Sequence, residues 1–263
     1  MLPLAAEKFP ATPDELAAAL TGGFAARGIS GAGVHVEGAA PGALTALRVE
    51  LTGASFTRGF RVSGTPAAEA APVVAERLEI VGAPLDFEGT PMEVRVEAEG
   101  AALRFGGQPS DGALVLADAD GGSVSLAVGH ADLEALLHRL ATTAAEKQGV
   151  EIKKTKLELT ARGPRALSFR CEVTAKMFVM SADLSLSGNL DVDEQLNARF
   201  SGLTLGGDAM IAKLAAGFVR PQLDKLEGRV FPLLALAPGG LKLHDVEIAV
   251  RDGLEVRAKF GRL

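Results

Sequence analysis

The chain has 263 residues, 48% of them hydrophobic and 23% charged, with a formal net charge of -6. That balance belongs to a folded globular protein with ample length for an apolar core, and it excludes disorder. The acidic total and the scattered basic residues lack the footprint that phosphate-backbone binding requires, so no nucleic acid is expected as a partner.

Met1 to Phe9 carries no basic stretch followed by an apolar one, and no run approaches the roughly 20 apolar residues of a bilayer span. The expectation is a soluble, cytoplasmic chain, with an envelope or periplasmic location as the alternative if a signal segment has been removed. The first helix is signalled by Thr12 as N-cap, Pro13 at the first helical position and Glu15 completing a capping box, with Leu16, Leu20 and Phe24 on one stripe and Gly28 as the stop. Short strands are then read at Leu47–Leu51, Phe60–Val62, Leu78–Ile80 and Met92–Val96, with turns at Gly38–Gly42 and Gly106–Gly112. Asp118-Ala119-Asp120-Gly121 resembles the start of a calcium loop, but Gly129 stands where a bidentate Glu is needed, so a polar hairpin turn is predicted instead.

The second helix presents Leu133, Leu136, Leu137, Leu140, Ala141 and Ala144 at helical spacing and ends near Gly149. Lys147, Lys153, Lys154 and Lys156 follow it, read as a solvated face that could attract an anionic headgroup or membrane surface. From Leu167 to Val179 the period changes to two: Leu167, Phe169, Cys171, Val173, Ala175, Met177 and Val179 alternate with polar residues, giving a sheet with one wet and one dry face. Leu184, Leu186, Leu190 and Val192 repeat the pattern, and antiparallel pairing is predicted. A third helix is read from Asp208 through Ile211, Leu214, Ala215 and Phe218, bent by Pro221 and resuming at Leu223 and Leu226. Val230 to Pro238 reads as an apolar loop that either packs across one end of the sheet or forms a lip toward lipid. The chain closes on a hairpin turning at Asp252-Gly253.

Catalytic signatures are missing. There is no Gly-x-Ser-x-Gly elbow and no phosphate-cradling loop, and Gly31-Ala32-Gly33 has Val36 where the third dinucleotide-fingerprint glycine belongs. The four histidines never form a ligand pair with another His or Cys, so no metal site and no cofactor are expected. Cys171, the single cysteine, precludes an intramolecular disulfide and is read as a small core hydrophobe. With no Trp and no Tyr, any cavity is aliphatic, lined by Leu, Val, Ala and the 12 Phe.

Asp132-Leu133-Glu134-Ala135-Leu136-Leu137, the paired strands, Phe231-Pro232-Leu233, Pro238-Gly239-Gly240-Leu241 and Asp252-Gly253-Leu254-Glu255-Val256 together resemble the LmeA-like (DUF2993) family, most strongly from about Gly129 to Gly261. The resemblance implies a tubular lipid-binding fold and phospholipid binding or transfer. The expected fold is therefore α+β, a highly curved antiparallel β-sheet wrapped around long amphipathic helices. Residues 1–263 are read as one domain, with two helix-plus-meander units (about 12–128 and 129–263) suggested by an internal resemblance between the two helix starts.

The expected function is non-catalytic binding of a phospholipid or other fatty-acyl ligand, with transient membrane contact. The residues assigned to the lipid are Leu133, Leu137, Leu140, Phe169, Val173, Met177, Leu214, Phe218, Phe231 and Leu234. The competing expectation is a structural or protein-interaction module with a fully packed core.

Overall fold

The computed structural model describes residues 1–6, 8–56, 73–106, 112–146, 149–177, 180–207, 220–221, 223–236 and 241–262. Its internal contacts divide the chain into two compact units. One is Met1–Ala127 with Leu234–Asp245 and Arg257–Leu263; the other is Val128–Leu233 with Val246–Val256.

In the first unit, β1 (Leu2–Leu4) leads to α1 (Pro13–Ala26), followed by β2 (Gly33–Ala40), β3 (Ala43–Glu50), β4 (Ser55–Phe56), β5 (Val73–Phe87), β6 (Thr90–Gly106), β7 (Gly112–Asp118) and β8 (Gly121–Gly129). The predicted N-cap of α1 holds, Thr12 Oγ1 accepting the Glu15 N–H at 3.2 Å, but the Glu15 carboxylate accepts at 2.8 Å from the Ala11 N–H, one residue before the cap whose N–H a capping box would take. Gly28, at φ +77, ends it. Leu16, Leu20 and Phe24 are buried in a core with Leu47, Val49, Leu78, Leu103 and Leu114. Gly23 is where β1 crosses the helix, and a Cβ there would collide with the backbone of Pro3.

Three expectations for this half need correction. The strands read as short include the longest among the described residues, β5 with 15 residues and β6 with 17. Both carry apolar residues on two faces along part of their length, which hides the alternation. The sheet is also not wholly antiparallel, because β3 and β4 run parallel to β5. A parallel neighbour needs a return connection of about a dozen residues or more, and segment 51–72 is long enough.

The predicted hairpin turn at Asp118–Gly121 is likewise absent. β7 pairs with the end of β6 (Leu114 opposite Phe105) and β8 with its beginning (Leu126 opposite Val94), so the chain continues in one direction past a break at Ala119–Asp120. Arg262 bonds Asp118 and Asp120, and Asp120 N–H bonds the Glu99 carbonyl at 2.9 Å, so polar anchors rather than a reversal occupy the Asp residues. The strands at Phe60–Val62 fall outside the described residues.

In the second unit, α2 (His130–Glu146) is followed by β9 (Glu151–Gly163), β10 (Ala166–Met177), β11 (Met180–Val192), β12 (Asn197–Gly207) and β13 (Val230–Pro232). They form an antiparallel sheet in the order β13-β12-β11-β10-β9. Alternation within β10 and β11 predicted this pairing correctly, Cys171 facing Leu186 and Val173 facing Leu184. In both units the helix packs on the strand that follows it, α1 on β2 and α2 on β9.

Most of the third predicted helix, including Leu214 and Phe218, lies outside the described residues; Arg220–Pro221 and the stretch 223–226 are helical. The segment expected as an apolar loop is instead an edge strand, β13, followed by a 3-10 turn at Leu233–Leu236. Pro232 is tolerated there because an edge strand leaves one side of its backbone unpaired.

The carboxyl-terminal hairpin forms as predicted, β14 (Lys242–Val250) and β15 (Gly253–Gly261), and β15 pairs with β8. Its outer halves contribute to the first unit and its turn to the second. Neither strand path closes on itself among the described residues, so the fold is α+β with open, predominantly antiparallel sheets rather than a barrel. Among the described residues no helix is long and apolar enough to cross a membrane.

Candidate functional site: the dry face of the second sheet

Register places the apolar positions of β9 to β13 on one face. Phe169 lies opposite Leu159 on β9 and Gly188 on β11, Cys171 opposite Leu157 and Leu186, Leu190 opposite Phe200, and Ala198 opposite Phe231. The core of the first unit holds side chains with no exposure at all, among them Leu4, Leu16, Leu20 and Leu47. The middle of the dry face differs: Leu159, Phe169, Cys171, Val173, Leu186, Leu190 and Phe200 are each only half-buried. An aromatic row crosses it. Phe169 meets Phe200 edge-on with centroids 6.4 Å apart, and Phe200 meets Phe231 in the same way at 6.1 Å. Gly188 makes the row possible, because a Cβ there would stand 2.6 Å from Leu203 Cδ2 and 3.0 Å from Phe169 Cζ.

The helix beside this face is held by polar contacts. On the edge strand β9, the Leu157 N–H points away from the ladder and donates to Glu134 Oε1 at 2.7 Å, while His138 Nδ1 lies 3.2 Å from Thr155 Oγ1. His130 Nε2 is 3.7 Å from the same Glu134 carboxylate. No residue of α2 is fully buried, and its apolar stripe stays partly wet: Leu133 and Leu137 are half-buried and Leu140 is 45% exposed. The thiol of Cys171 is pushed above its usual range, first by burial and then by the charges of Glu134 and Glu172. It is therefore a poor thiolate at neutral pH.

The structure thus brings Phe169, Val173 and Phe231 onto one face, with Met177 at the end of the same strand opposite Met180. It sets Leu133, Leu137 and Leu140 on the adjoining helix. Leu234 is 48% exposed and belongs by its contacts to the first unit. Sequence reasoning missed Phe200, Leu159 and Leu186, which only the register brings beside Phe169, and it gave no part to Glu134 or His138. The signal for Glu134 was its place on the helix preceding an edge strand, where an unpaired N–H needs an acceptor.

The opposite face is wet, with a shallow groove of about 540 Å³ over Lys154, Lys156, Arg170, Glu172, Thr174 and Asp183. Several of its charges are paired, Arg170 with Glu172 at 2.9 Å and Lys156 with Glu158 at 2.6 Å, and Lys153 pairs with Glu151. Lys147 lies outside the described residues. Among the described residues, no group of three or more His, Cys, Asp or Glu side chains is arranged to hold a metal ion.

Comparison of the chain with family models, with curated proteins and with solved structures finds no match.

Proposed function

We propose that the chain binds an acyl-chain lipid, a phospholipid or fatty acid, against the dry face of its five-stranded sheet, as a carrier rather than a catalyst. The observation that carries this reading is the half-buried row of Leu, Val and Phe side chains on β9 to β12, beside a helix that buries none of its own residues completely. Apolar surface in that state gains by further covering, and each methylene of a chain laid against it contributes about 0.8 kcal/mol. A hydrocarbon tail suits such a surface better than a flat polar ligand, which would find few hydrogen-bonding groups there. The resemblance of residues 129–261 to LmeA-like proteins points in the same direction, and the finer picture it implies, a curved sheet wrapped along helices, belongs to this proposal. Contact with a membrane surface would be transient.

Cys171 gives a direct test because its sulfur stands on the proposed binding face. Purified without detergent and incubated with phosphatidylglycerol vesicles, the protein should carry lipid in native mass spectrometry. Its alkylation by a maleimide should then slow several-fold. Absence of copurified lipid, no uptake and an unchanged alkylation rate would overturn the reading.

A further inference from the structure

We infer that Arg229 is the headgroup anchor of this face and that the ligand's polar end is an oxyanion, a carboxylate or a phosphate; the inference rests on the acyl-binding reading above. Arg229 precedes β13 by one residue, with its N–H bonded to the Leu226 carbonyl at 3.1 Å. Its guanidinium lies over the ring of Phe231, 5.1 Å from the centroid. Phe231 is the first member of the aromatic row that continues through Phe200 to Phe169. A cation therefore sits at one end of an otherwise apolar path.

Arg229 is exposed and makes no ion pair among the described residues. The carboxylate nearest to it in sequence is already committed: Glu227 accepts the N–H groups of Gly202 at 2.9 Å and Leu203 at 2.8 Å. A guanidinium stacked on an aromatic ring keeps its outer edge of N–H donors free, in the fork geometry that matches two oxygens of a carboxylate or phosphate. Stacking also limits the freedom that would be lost on binding. An ammonium head would be repelled by this group, and a neutral head would gain at most a weaker, singly charge-assisted hydrogen bond.

The test compares oleate, methyl oleate and oleoyl lysophosphatidate on the full-length wild-type protein and on Arg229→Gln, at low ionic strength, with urea midpoints confirming equal folding. Wild type should bind the two anionic ligands more tightly than the ester. Arg229→Gln should lose about tenfold for an anionic ligand while leaving the ester unchanged, and Arg229→Lys should recover part of the loss. If only one anion shows the effect, that arm identifies the oxyanion. Equal binding of acids and ester by wild type, or a preference that survives in Arg229→Gln, would overturn the role of Arg229 and leave acyl binding standing. Failure of all three ligands to bind would overturn both.

Discussion

Arg262 lays its guanidinium against Asp118 and within 3.4 Å of Asp120, tying the carboxyl-terminal residues to the break between β7 and β8. The hydrogen bond from Arg262 holds the Asp118 carboxyl below its usual range, helped by the Ala119 N–H. A carboxylate depressed in the folded state stabilises the fold above its unfolded pKa. That contribution disappears as pH falls through the lower, folded value. Acid titration of stability should therefore show a steeper loss in wild type than in Arg262→Gln at the acid end, and the difference should shrink with added salt because the pair is exposed. Superimposable acid limbs would refute the role. Nothing in the sequence advertises this clamp, since Asp118 and Arg262 are far apart in the chain and the local string reads as a turn.

The two helices show how differently similar patterns can be used. Both α1 and α2 follow helical periodicity, yet α1 buries Leu16 and Leu20 completely, whereas α2 buries no residue and meets β9 through Glu134 and His138. Leu16→Ala should cost about 2–5 kcal/mol in urea denaturation, as expected for a cavity in a closed core. Leu137→Ala should cost less than about 1.5 kcal/mol, because part of that side chain already faces water. Equal costs would mean that α2 is as firmly seated as α1.

The sequence made α1, β10, β11 and the final hairpin legible because caps, period-two alternation and Asp-Gly act locally. It concealed the parallel β3–β5 pair, the collinear β7 and β8, and β13, because pairing partners distant in sequence decide those. The dry face was legible strand by strand; its aromatic row was not, since it exists only once β10, β12 and β13 are placed in register.

Across the whole molecule, apolar side chains are allotted unevenly. The first unit closes over its core, while the sheet of the second leaves its dry face half-covered. Backbone amides open to exchange more readily where fewer apolar contacts are lost on opening. Amides of β5 and β6 should therefore exchange more slowly than those of β10 and β11, and bound lipid should narrow the gap by protecting the second set. Uniform protection without lipid would contradict this allotment.

The hairpin of β14 and β15 also orders events in the cell. Each unit draws residues from it, and in sequence it follows the other strands of both. Nascent chains usually complete their domains in order from the amino terminus. Here both halves must wait, unfinished and with sticky surface on view, until the closing ribbon has emerged from the ribosome.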